Sequence, residues 1–265
     1  MSKYHGTPMG GTRADRALAI TDRLVLIPYP RPDDLDLAQR LSRGYIADNG
    51  AYSDWRAGHP TFRDYPGYLA WVEKLQQCRK FHWAVIPDQI GGSEAENNAL
   101  LAQWPANLRG VPVYHMHHSL DRLRYLAQTY PTVALGGGRG YEQLKSQAWW
   151  ARIGQMMEAI TDDHGHPICR LHGLRMLDPK VFTVLPLESG DSANVARNSS
   201  HVHRFPEWLS RGERACVLAD RIERYPAAAA WKRRPVAPVQ YSLFGDWKQG
   251  CLEKKEVPFD ERNLF

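Results

Sequence analysis

Three aspartates stand where a chain can assemble an acid–base site. Asp48 ends the run Tyr45-Ile46-Ala47 and opens Asn49-Gly50-Ala51-Tyr52-Ser53; Asp88 ends Trp83-Ala84-Val85-Ile86-Pro87. Asp191 closes Leu185-Pro186-Leu187-Glu188-Ser189-Gly190. Carboxylates crowded into one buried pocket split their pKa values, so one can remain ionised while another carries a proton. Displacement at a sugar carbon needs that division, with an anionic nucleophile below the ring and an acid or base beside the leaving heterocycle. Each aspartate also has a plainer reading. Asp-Asn-Gly is a common turn that bonds its own backbone, and Asp191 can cap the segment after it. Recurrence of the pattern favours the site.

Histidines and glycines follow other apolar runs in the same way. Val111-Pro112-Val113-Tyr114 leads into His115-Met116-His117-His118, and Ile168-Cys169-Arg170-Leu171 into His172. On a strand, His115 and His117 share a face and Met116 packs outward. With His172 and Asp191 they can hold a divalent metal for hydrolysis, or they bind substrate without one. Val133-Ala134-Leu135 runs into Gly136-Gly137-Gly138-Arg139-Gly140, whose bare backbone can bind phosphate or lie flat against a heterocycle. Neither a P-loop nor a dinucleotide fingerprint is present. Gly50 serves the same end beside Asp48, since glycine lets backbone approach a ligand closely.

The elements that position these residues are six such runs, with Lys3–Gly6 and Arg23–Pro28 as two more candidate strands. Runs of this length read as strands buried on both faces, and polar groups at successive strand ends build the active site of a (β/α)8 barrel. Between them lie helical patterns. Asp33-Asp34 make an acidic first turn before Leu35–Leu41, Tyr68–Leu75 has the helical period, and Ser93 with Glu96 forms a capping box. Ser119 caps Leu120–Ala127, Ala148–Ile160 is amphipathic, and Asp178-Pro179 starts a short helix through Leu185. Pro8–Thr12 is a loop, and the first linker has no long helical pattern. The strand signal stops near Asn198, leaving a barrel over 1–200 and a helical C-terminal extension over 201–265. Within that extension Pro206–Leu209 and Ala215–Ile222 look helical, and the tail from Pro235 packs over the barrel or a partner.

The 265 residues are 43% hydrophobic and 24% charged, ordinary for a globular enzyme. No apolar stretch is long enough to span a membrane, and no signal-peptide core opens the chain. Cys78, Cys169, Cys216 and Cys251 are too dispersed for a metal or disulfide framework, which predicts reduced thiols and a cytoplasmic protein. A net charge of +5 and a pI near 9.0 hint at a polyanionic partner, with arginines thickening from Arg204 to Arg234.

Asp48-Asn49-Gly50-Ala51-Tyr52, Gly136-Gly137 and Gly190-Asp191-Ser192 resemble, in order and placement, the motifs of the tRNA-guanine transglycosylase superfamily. The likeness spans roughly residues 3 to 200 and is nearest to the short phage-type members that insert 7-deazaguanines into DNA. It implies a TIM barrel, a pentosyltransferase, that exchanges guanine in a nucleic acid for a 7-deazaguanine such as preQ0 or preQ1. By the resemblance, Asp191 is the nucleophile at C1′ and Asp48 the general acid/base. Asp88 reads the edge of the base, and Gly136 and Gly137 form the platform of its pocket. Asn49, Gly50, Ser53, His115, His117 and His172 are assigned to substrate binding from their place at strand ends. The tRNA enzymes carry a zinc site with a C-x-C-x-x-C cluster; this chain has none, which favours DNA over tRNA and predicts no metal and no cofactor. A metal-dependent barrel hydrolase, a non-catalytic nucleic-acid-binding barrel and a homodimer all stay open.

Overall fold

Short runs of buried aromatic and branched residues pair as parallel strands, with helices between them. In chain order the elements are β1 (Ser2–Gly6), α1 (Arg13–Ile20), β2 (Leu24–Pro28), α2 (Leu35–Leu41), β3 (Gly44–Asp48), α3 (Ala51–Arg56) and α4 (Tyr65–Leu75). They continue with β4 (Phe81–Val85), α5 (Glu94–Ala102), β5 (Gly110–Val111), β6 (Val113–His115), α6 (Leu120–Thr129), β7 (Thr132–Gly136) and α7 (Gln147–Ile160). The last are β8 (Arg170–Gly173), α8 (Pro179–Phe182), β9 (Ser189–Ser192), α9 (Asn194–Asn198), a 3₁₀ turn (Val202–Arg204) and α10 (Arg211–Glu223). The computed structural model describes residues 1–59 and 64–232.

The strands form one sheet in the order β5-β4-β3-β2-β1-β9-β8-β7-β6, a nearly closed barrel of nine parallel strands. The run expected as one strand from Val111 to His117 is divided at Pro112, with β5 on β4 and β6 on β7. Proline has no N–H for a ladder. Its carbonyl accepts from Ala134 N at 2.9 Å, while Val111 O accepts from Ile86 N at 3.0 Å. Both ends of the sheet therefore meet at one residue.

Inside the barrel, Tyr4, Leu24, Leu26 and Ile46 pack with Trp83, and Trp83 also meets Val85, Val111, Val113 and Ala134. The pairing of β3 with β4 is irregular between Tyr45 and Ala47, and an extra residue there turns neighbouring side chains the same way. Both His82 and Trp83 thus reach Tyr4, the former 2.7 Å from its hydroxyl, the latter edge-on with ring centroids 6.2 Å apart. Gly44 makes the room: a Cβ there would lie 2.4 Å from His82 Nε2.

The helices bury single stripes, as in α7, where Trp149, Ile153, Met156, Met157 and Ile160 are covered. The expected caps at Ser93 and Ser119 are formed. Other elements depart from the sequence reading. The first linker does hold a helix, α1, only eight residues long, which buries Ala19 and Ile20. A Thr12–Asp15 capping box starts it, and Asp15 Oδ1 accepts from Gly212 N at 2.8 Å, so α10 braces it. The short helix from Pro179 ends at Phe182, before Leu185. The final strand begins at Ser189, with Leu185 and Leu187 buried in its approach, so Asp191 lies within β9 rather than after it. Pro206–Leu209 is not helical; α10 begins at Arg211, capped by Ser210.

Residues assigned to the extension (201–265) include α10, which belongs to a compact unit running Met1–Lys232. His5 Nε2 and Arg23 Nη1 meet its Glu223 at 2.8 and 3.0 Å, and Lys3 Nζ donates to Glu223 O and Tyr225 O. Arg214 is buried, donating to Ser199 O and Leu209 O, so part of the late basic charge holds the fold together. The tail from Pro235, with Cys251, lies outside the described residues.

Asp34, read as part of an acidic first turn, is fully buried and turned away from α2. Its carboxylate accepts from Met9 N and from Arg16 Nη1, both at 2.8 Å, anchoring the loop after β1. Asp34→Ala leaves a buried N–H and a half-sheltered guanidinium unmet, so urea unfolding is expected to show a loss of about 3 kcal/mol. A loss below about 0.5 kcal/mol, the surface-substitution range, would show that the anchor is not needed.

Candidate active site

The carboxyl ends of the parallel strands carry the polar groups. Asp48 is the last residue of β3, His115 of β6 and Gly136 of β7; His172 and Asp191 sit in β8 and β9, and Asp88 follows β4. Asp48, Asp88 and Asp191 come together, for both of the others act on Asp48 through space. Asp48 is half-buried, and loss of hydration, then the charges of Asp191 and Asp88, push its carboxyl up to about 7 against one opposing hydrogen bond from Gly50 N.

Its two neighbours are differently held. Asp191 Oδ2 lies 3.0 Å from His172 Nε2, and Asp191 Oδ1 accepts from Arg175 N at 3.2 Å. His172 is fully buried, and its Nδ1 is 2.8 Å from Ser189 Oγ. In the neutral ring Nε2–H donates to Asp191 and Nδ1 accepts from the Ser189 hydroxyl. Trp83 stands edge-on to His172 with centroids 4.8 Å apart, and Tyr4 packs beside it at 6.1 Å. These rings leave His172 little freedom to turn, so Asp191 is fixed in orientation.

Asp88 accepts from Asn49 Nδ2 at 2.7 Å, and His115 Nε2 approaches its Oδ2 to 2.9 Å at an angle outside that of a hydrogen bond. His115 Nδ1 donates to Gly137 O at 3.0 Å, which ties the glycine platform to the acid through one ring. Asn49 is buried, donates also to Ile86 O at 3.1 Å and accepts from Ala51 N at 2.8 Å. Gly50 is in the left-handed region, φ 83°, and a Cβ there would lie 2.4 Å from the Pro30 ring. Asp-Asn-Gly is therefore a turn that bonds its own backbone and a carrier of the pocket's acid at once.

His117 lies beyond the end of β6, not on the strand, and with His118 it donates to Gly92 O at 2.9 and 3.0 Å. Burial holds both imidazoles low, His118 at about 4, so both are neutral near pH 7. Met116, between His115 and His117, is fully buried. Ser53 is exposed on α3, its amide bonded to Gly50 O. Of the three histidines invoked for a metal, His115 is bonded through Nδ1 to Gly137 O, His117 through Nε2 to Gly92 O, and His172 lies between Ser189 and Asp191. Among the described residues no group of three or more His, Cys, Asp or Glu side chains is arranged to hold a metal ion.

The sequence reading missed the aromatic floor and a rim residue. Tyr4 and Trp83 looked like ordinary core, and only the β4 irregularity brings His82 and Trp83 to one side. Arg175 has φ 61°, a conformation that strains any residue but glycine, and it gives its amide to Asp191 while its guanidinium stacks 4.1 Å over the Tyr52 ring. No signal in the sequence sets Arg175 apart except that it follows the His172 strand.

No family model, no curated protein and no solved structure matches this chain. The described chain is an α/β protein with nine parallel strands in a nearly closed barrel. No helix among the described residues is long and apolar enough to cross a membrane.

Proposed function

We propose that the chain is a nucleic-acid base-exchange transglycosylase that replaces guanine with a 7-deazaguanine, acting on DNA in preference to tRNA, in the cytoplasm and without a cofactor. The observation that carries this reading is the unequal treatment of the aspartates. Asp191 is paired with His172 and Asp88 with Asn49 and His115, while Asp48 faces both without an imidazole partner and is pushed up to about 7. A group titrating near neutrality can give and take a proton in one cycle. Asp191, fixed by two donors, is set to attack C1′.

In the first half of the reaction an Asp191 oxygen bonds to C1′ as the bond from C1′ to guanine breaks, and Asp48 protonates the departing base. In the second half Asp48 takes a proton from the incoming 7-deazaguanine, whose nitrogen bonds to C1′ and releases Asp191 as carboxylate. Gly136 and Gly137 serve as the platform for the flat heterocycle beside His115, and Asp88, held by Asn49, meets its hydrogen-bonding edge. A guanine within a duplex would have to be flipped out to enter.

We read the fold as a (β/α)8 barrel in which β5 and β6 are one strand interrupted at Pro112, with residues 201–265 as a C-terminal extension. The experiment is exchange of labelled guanine or preQ0 into DNA and into tRNA, side by side, with purified protein. Incorporation into DNA is expected, and failure with both polymers refutes the reading. Activity is expected to survive exhaustive chelation, because carboxylates alone supply the nucleophile and the proton. Loss on chelation with recovery on adding zinc would instead favour a metal-dependent hydrolase.

A further inference from the structure

Two arginines stand beside the acid cluster. Arg56 ends α3, Arg175 follows β8, and both are exposed. Several arginines of this chain are met by carboxylates: Arg13 and Arg40 by Asp36, Arg23 by Asp220, Arg31 by Asp33 and Arg124 by Asp121. Among the described residues Arg56 and Arg175 have no such ion pair. They converge instead on one phenol, Tyr52, the Arg175 guanidinium lying 4.1 Å over its ring. Burial acts to raise the Tyr52 hydroxyl, but the nearby Arg56 and Arg175 guanidiniums outweigh it and hold it below the usual tyrosine range. Trp55 lies next to Tyr52, ring centroids 5.7 Å apart, and is 38% exposed.

Two unneutralised guanidiniums around a hydroxyl donor match the oxygens of a phosphate, which arginine takes through paired N–H groups. An exposed indole beside them is the other half of a single-strand binding surface, where bases stack on aromatic rings and cations track the backbone. We propose that Arg56, Arg175 and the Tyr52 hydroxyl hold a backbone phosphodiester of the nucleic-acid strand whose nucleotide enters the pocket, with Trp55 as the stacking surface for an adjoining base. The proposal rests on the reading of the pocket as a nucleic-acid site. Arg175 links the two levels: its side chain is on the rim and its amide is on Asp191 Oδ1. A phosphate seated at the rim therefore holds in place the loop that orients Asp191.

The test is anisotropy of a short fluorescein-labelled single-stranded DNA against salt, for the native protein and for Arg56→Ala/Arg175→Ala. The double variant is expected to bind on the order of tenfold or more weakly. Its slope of log affinity on log salt should be shallower by about 0.7, for the one single-strand phosphate no longer neutralised. A strand with neutral methylphosphonate linkages should not distinguish the two proteins, and an RNA strand of the same sequence reports which polymer the rim prefers. Arg56→Ala alone, on an exposed helical position, should weaken binding and flatten the slope in the same direction by less than the double variant, which keeps the test valid if Arg175→Ala disturbs its loop. Unchanged affinity and slope in both variants, or no binding of either strand by the native protein, overturns the site. Guanine exchange measured on the same preparations separates the two claims. Arginine-dependent binding without exchange refutes the transglycosylase chemistry and leaves the phosphate site; exchange with an unaltered salt slope does the reverse.

Discussion

Asp191→Asn is expected to abolish base exchange while leaving the protein folded and able to bind its strand. The substitution keeps the shape of the side chain but removes the negative charge that must bond to C1′. It also places an amide between His172 Nε2, 3.0 Å from Oδ2, and Arg175 N, 3.2 Å from Oδ1. One side of the amide is then a donor facing a donor, so His172 must change tautomer or the side chain must turn. Exchange should fall on the order of 10³-fold or more, as for other lost nucleophiles. Strand affinity should change little, because the phosphates are held by arginines outside the pocket. Denaturing electrophoresis of protein with DNA, and without incoming base, reads the covalent species directly. An adduct formed by Asp191→Asn would show that another residue attacks the sugar.

Asp48→Asn is expected to lose exchange and to gain stability, most clearly above neutral pH. Asp48 titrates at about 7 in the fold against 3.8 for a free aspartate, so the folded state binds the proton more tightly than the unfolded one. Between those values the folded protein carries more protons, and stability falls as pH rises. The contribution is whole below about pH 4 and is lost by about pH 7, above which ionised Asp48 costs the fold roughly 4 kcal/mol. Asparagine cannot ionise, so Asp48→Asn avoids that cost and can still accept from Gly50 N. Thermal or urea unfolding of both proteins from pH 4 to above pH 7 should therefore diverge, with the variant increasingly the more stable. Parallel profiles would show that Asp48 is not the group pushed up by burial. The adduct through Asp191 can still form in this variant, slowed because the leaving guanine lacks its proton donor. The instability at neutral pH is then the cost of keeping a titrating acid beside two other carboxylates.

Much of the barrel is legible in the chain because its strands are local. Leu24–Ile27, Tyr45–Ala47 and Val133–Leu135 are buried on both faces, and such runs stand out against helices that bury one stripe. The caps at Ser93 and Ser119 are equally local, each a side chain meeting an amide three residues on. The placing of acids, histidines and glycines at strand ends was readable for the same reason. What the sequence by itself determined is therefore the strand and helix order and the candidate polar groups.

Tertiary structure decided which groups pair and what each pairing does. Helix α1 escaped the reading because its hold comes partly from Gly212 on α10, nearly two hundred residues away in sequence. Asp34 has the pattern of a helix-start acid, and only the folded loop after β1 turns it onto Met9 and Arg16. The division of the Val111 strand follows from Pro112 standing where the two ends of the sheet meet. The roles in the site are of this kind as well. Asp48, Asp88 and Asp191 look alike in sequence, each an acid near an apolar run. They differ only once His172 and Arg175 reach Asp191, Asn49 and His115 reach Asp88, and the remaining acid is left half-buried beside their charges. A carboxyl's proton affinity depends on water removed and charges brought near across the whole fold, and no local pattern of residues carries that information.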